Sequence, residues 1–119
     1  MQFMRLGEYF AVSMVSGPKH NLLQIRLSTE VQEVPVCEML SAVGKCNQRP
    51  LDPEAVVARV LEGLTEANAR LRTSHSVTHI RYVEDDTGPE DVYCHMCLKL
   101  IEHLDSGGVF SAPRHPSGA

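Results

Sequence analysis

The sequence predicts an α+β fold: a three- to four-stranded sheet, in the order β-β-α-β-α, with two helices packed on one face. Three observations carry this expectation. Residues 8–27 alternate apolar and polar side chains on either side of a Gly-Pro turn, the two-residue period of paired strands. Residues 52–71 repeat apolar side chains at helical spacing behind a helix-start signature. A β-branched run at 77–83 then separates that helix from a second apolar-striped one.

In the first strand, running from Glu8 to Ser16, Phe10, Val12 and Met14 share one side, and Ala11, Ser13 and Val15 the other. Gly17-Pro18-Lys19-His20-Asn21 has turn chemistry and places His20 in the hairpin turn. In the returning strand Leu23, Ile25 and Leu27 face inward while Gln24 and Arg26 face out. Residues 30–50 hold no clear pattern; Val36–Leu40 reads as a short strand or a helical turn, and Gly44 to Pro50 as loop.

The long helix starts at Asp52, an N-cap residue type, with Pro53 suited to the first helical position and Glu54 to the positive end of the dipole. Its apolar residues are Val56, Val57, Val60, Leu61, Leu64, Ala67 and Leu71, opposed by Arg59, Glu62, Glu66 and Arg70. Val77 to Val83 is the third strand, and Glu84-Asp85-Asp86 an acidic turn. Thr87 or Gly88 caps the second helix, whose stripe is Tyr93, Cys97, Leu100, Ile101 and Leu104. The domain therefore covers 1–105. Residues 106–119, rich in Gly, Pro and Ser, form a flexible C-terminal tail. With both helices on one face, the other face of the sheet is bare, with valines, Met14 and Tyr82 on it. Val109 and Phe110 are the nearest apolar residues able to dock there.

Composition narrows the function classes. A chain of 119 residues can bury about two-thirds of its unfolded surface without metal or disulfide staples. Its net charge of −4 and scattered basic residues argue against a phosphate-binding face, so nucleic acid is disfavoured as a partner. No apolar run approaches the ~20 residues of a membrane-spanning helix. The first residues also lack a basic start and long apolar centre. The expected location is the cytoplasm, where the four cysteines are reduced thiols.

Few residues suggest chemistry. Cys94, His95 and Cys97 are weak metal candidates. Structural zinc needs four ligands, and Cys37 and Cys46 do not form a matching pair, so buried thiols acting as small hydrophobes are the plainer reading and no cofactor is expected. His75 and His79 are too far apart on a strand to share an ion. No nucleophile elbow or phosphate loop occurs. If a ligand pocket lies between sheet and helices, its polar candidates are His20, His79, Tyr82 and Cys94.

The segment Gly63-Leu64-Thr65-Glu66-Ala67, the strand Val77 to Tyr82 with its Val-x-x-Ile-Arg-Tyr pattern, the acidic turn and the last helix together resemble the second half of the fourth domain of translation elongation factor G. The turn departs from that family, with Asp85-Asp86-Thr87-Gly88 where it carries Asp-Ser-Ser, and there is no GTP-binding domain. The resemblance implies a fold and, beyond it, an RNA- or ribosome-associated role. The residues themselves favour a non-enzymatic binding or interaction module. That module is expected to be a homo-oligomer joined through the open sheet face, with a protein partner also possible. A small enzyme or ligand-binding domain is the alternative.

Overall fold

The structure, a computed structural model, describes residues 1–16, 19–28, 35–40, 51–83 and 90–111, the side chains of residues 15, 16, 19 and 20 excepted. The expected loop at 44–50, the acidic turn with its Thr87 or Gly88 cap, Cys46 and the end of the tail at 112–119 lie outside these residues. The fold is α+β, with a five-stranded mixed sheet and two helices. The strands are β1 (Gln2–Leu6), β2 (Tyr9–Ser16), β3 (Lys19–Ser28), β4 (Val36–Leu40) and β5 (Ser76–Val83). The helices are α1 (Pro53–Leu71), between β4 and β5, and α2 (Val92–Asp105). Across the sheet the order is β1-β2-β3-β5-β4; β4 lies parallel to β5 and every other pair is antiparallel.

The sheet thus has one strand more than the upper expectation. β1 was not foreseen because Gln2 to Leu6 is too short to alternate convincingly; it is held by pairing, with Phe3 opposite Val12 and Arg5 opposite Phe10. Val36–Leu40 takes the strand option because β5 offers it a complete ladder, from Val36 opposite His79 to Leu40 opposite Val83. His20 lies in β3 opposite Val15 rather than in the turn.

Register decides which face is core. Val12 pairs with Leu23 and Phe10 with Ile25, while Leu23 and Ile25 pair in turn with Tyr82 and Ile80. Val12, Leu23, Ile25, Ile80 and Tyr82 are all fully buried under the helices. Met14 and Tyr82 therefore sit on the covered face, not the bare one, because strand parity ties them to Val12 and Ile80. A bulge shifts the register between Arg26 and Leu27, with Thr78 as the extra residue on β5, so Val77 and Ile80, three apart, both point into the core.

The start of α1 is as its sequence suggests: the Asp52 side chain accepts the Glu54 backbone N–H at 3.1 Å. Asn68 organises the other end, accepting the His75 N–H and the Thr73 hydroxyl and donating to the His75 carbonyl. In α2 the buried set is Tyr93, Met96, Cys97, Leu98, Leu100 and Ile101, with Leu104 half-buried. It is wider than the expected stripe because this helix meets both the sheet and α1. The two helices meet at Gly63. A Cβ there would overlap the Cys94 carbonyl oxygen and crowd the Cys97 Cβ at 3.1 Å.

Residues 106–111 turn back at Gly107 (φ 75°) and reach the outer edge of β1. The Ser111 N–H donates to the Phe3 carbonyl, and the Arg5 N–H to the Ser111 carbonyl, each at 3.0 Å. Phe110 enters a ring cluster with Phe3, Phe10 and His103, on the helix side of the sheet. Expected at the bare face, it goes instead to the side where Phe3 and Phe10 project; Val109 stays 84% exposed.

A Gly63→Ala substitution tests the helix contact. Helix propensity alone would favour it by about 1 kcal/mol. Overpacking against a backbone carbonyl falls at the upper end of the ~1–3 kcal/mol range, so a net loss of about 2 kcal/mol is expected by urea unfolding. An alanine that is neutral or stabilising would mean that the helices part without penalty.

Candidate functional site

The residues singled out in the sequence do not come together. His79 projects from the bare face, as the partner of Arg26 and Val36. Tyr82 is fully buried on the opposite face, edge-on to Tyr93 with ring centroids 6.2 Å apart. Cys94 is half-buried on α2 where it approaches Gly63. His20 is placed through its backbone only.

The Cys94, His95, Cys97 group divides in the same way. Cys97 is fully buried, and burial, with a smaller effect of Cys94, pushes its thiol up to about 12. Cys94 is also raised, first by burial and then by the carboxylates of Glu62 and Glu66, against a lowering effect of Arg59. His95 is exposed on another side of the helix. Among the described residues no three His, Cys, Asp or Glu side chains are placed to hold a metal ion. A raised thiol pKa is the reverse of what a nucleophile or thiolate ligand requires.

The bare face carries Val36 and Val83, as expected of its valines, but its centre is polar. Tyr9, Arg26 and His79 form one row across β2, β3 and β5, and Ala11, Gln24 and Arg81 the next. The Arg81 guanidinium lies over the Tyr9 ring, 4.1 Å from its centroid, although Tyr9 is two strands away. To reach it, the side chain crosses Gln24. This explains why Ala11 and Gln24 are buried on a face that no helix covers. Glu38 on β4 accepts from Arg81 Nε at 2.8 Å, and Glu8 pairs with Arg26 at 3.0 Å. Exposed pairs of this kind contribute at most about 1 kcal/mol each. Their effect is to leave the two arginines already matched.

The unmatched surface is at the edge. Among the described residues β4 has no neighbour on its outer side, whereas β1 has Ser111. Val36 is 54% exposed and Met39 52%, on opposite faces of this one strand. Beside it, Pro35, Cys37, Pro53, Glu54, Val57 and Leu61 line an apolar groove of about 450 Å³ between β4 and α1. The surface continues along the outer flank of α1 past Ala58 and Leu61 to Thr65 and Ala69, with Glu62 and Glu66 along it. Burial pushes the Cys37 thiol in this groove upward.

Val56 and Val60 are fully buried, while Val57 and Leu61 on the adjacent row pack against the core and also line the groove; the width of the apolar stripe is the sequence signal of this second contact. Gly63, in the interior of a helix where glycine is unfavourable, was the corresponding signal for close helix packing.

The thiols give a direct check. At neutral pH, Cys97 should resist iodoacetamide in the native protein and react after unfolding. Because its pKa rises from 9.0 to about 12 on folding, the folded state keeps a proton that the unfolded state loses between those values. Stability is therefore full below pH 9 and falls as pH rises, by up to about 1.4 kcal/mol per pH unit for this group. Cys97→Ala should flatten that alkaline slope in denaturant titrations; an unchanged slope would contradict the assignment.

Compared with known proteins, the chain matches no family model, no curated protein and no solved structure.

Proposed function

We propose that this chain is a non-enzymatic interaction module whose binding surface is the flank formed by β4 and the outer side of α1. One observation carries the reading. Away from Met1 and Val109, the large hydrophobic side chains exposed among the described residues are Val36 and Met39, both on β4; Met39 lies on the same side of the strand as the groove-lining Cys37, and Val36 on the other. An open strand edge next to exposed apolar surface is unfavourable unless something covers it. The groove offers little for catalysis: its ionisable groups are Glu54 and the raised thiol of Cys37.

A homo-oligomer joined through the bare sheet face is a second reading. Val36, Leu40 and Val83 on that face favour it, and the matched Arg26–Glu8 and Arg81–Glu38 pairs weigh against it.

Selection from a random twelve-residue phage-displayed peptide library tests the first reading. The native protein should enrich a sequence family. That enrichment should be lost with Met39→Lys and with Leu61→Glu, each checked for native circular dichroism. No enriched family, or one indifferent to both substitutions, would overturn the reading. A protein that stays monomeric by light scattering at high concentration would remove the homo-oligomer.

A further inference from the structure

Resting on the β4–α1 flank as the binding surface, we infer that its occupant is an extended segment of another protein, added as a strand beside β4, with apolar and basic residues in alternation. The edge sets the backbone conformation. Among the described residues nothing pairs with the outward N–H and C=O groups of β4, and a chain running alongside at strand spacing, about 4.8 Å away, satisfies them together. Alternation of side chains then sets the chemistry. On the helix side the added strand projects next to Cys37 and Met39, against Val57 and Leu61 of α1, which favours apolar residues at every second position.

On the bare side its neighbours are Val36, Glu38 and Leu40. Glu38 is the central one, and directly opposed charges of opposite sign stabilise a strand pair while like charges destabilise it. Glu38 accepts from Arg81 through one oxygen and its side chain is 57% exposed, which leaves room for a second cation, and the chain as a whole carries −4. Lysine or arginine opposite Glu38 is therefore the complementary choice.

The same reasoning disfavours a second copy of this chain. β4 reads Val-Cys-Glu-Met-Leu, and antiparallel self-pairing about its centre sets Glu38 opposite Glu38 of the other copy. Arg81 offsets part of that repulsion through its bond to Glu38, but each copy brings the same net charge of −4.

Fluorescein-labelled ten-residue peptides distinguish the possibilities by anisotropy: alternating Val-Lys, alternating Val-Glu, and Val-Lys with alternate backbone N-methylation. Val-Lys should bind at least ten times more tightly than Val-Glu. It should weaken at high salt and lose binding on N-methylation. Glu38→Lys should reverse the preference between Lys and Glu peptides. Equal binding of Val-Glu, or an unchanged preference in Glu38→Lys, overturns the charge assignment. Undiminished binding of the N-methylated peptide overturns strand addition. If either occurs while Met39→Lys and Leu61→Glu still abolish binding, the flank remains the site and only this inference fails. Binding indifferent to those two substitutions ends both. Absence of peptide binding, together with a dimer in sedimentation that Met39→Lys dissociates, would identify a second copy as the occupant and overturn the inference.

Discussion

The contact between Gly63 and the Cys94 carbonyl is the constraint from which the arrangement of this molecule follows. Two helices can come this close only where one of them lacks a side chain. With α2 drawn against α1, Tyr93, Met96 and Cys97 are sealed into the core along with Val56, Val60 and Leu64. α2 then covers the β2 and β3 side of the sheet and α1 the β5 and β4 side. α1 turns Val56, Val60 and Leu64 into the core, which leaves Val57 and Leu61 half-buried at its margin and Ala58 exposed. The candidate binding flank is thus a consequence of how the helix pair packs.

The two edges of the sheet are treated differently. At β1 the chain returns after α2 and adds Ser111 to the edge, anchored by Phe110 among Phe3, Phe10 and His103, with His103 stacked on Phe3 at 3.9 Å. At β4, among the described residues, there is no such addition. Strand edges left open with apolar side chains on both faces invite pairing with other chains. One edge of this sheet is closed by residue 111, and the other, among the described residues, has no added strand and borders an apolar groove. This difference separates a general packing defect from a surface suited to a partner.

Much of the fold is legible in the sequence. The β2–β3 hairpin, the Asp52 cap, the long helix and the Val77 to Val83 strand announce themselves locally, through alternation, capping and β-branched content. What escaped depended on distant partners. β1 is a strand because β2 pairs with it, and β4 because β5 does. Tyr82 looked able to face either way until pairing with Leu23 set its side. The proposed binding surface was less legible still. Val57 and Leu61 are apolar residues at helical spacing that do pack against the core, and their half-buried state at its margin is set by tertiary contacts. His79, Tyr82 and Cys94 drew attention by residue type, but the fold distributes them over two sheet faces and a helix contact.

Amide hydrogen exchange along β4 is the most direct measurement of the central claim. In the free protein the β4 amides that point away from β5 should exchange as exposed edge amides. With a saturating alternating Val-Lys peptide they should slow by at least tenfold, while exchange at the β1 edge, already covered by Ser111, stays the same. Protection that appears elsewhere and spares β4, or β4 amides unchanged by a peptide that demonstrably binds, would contradict the account.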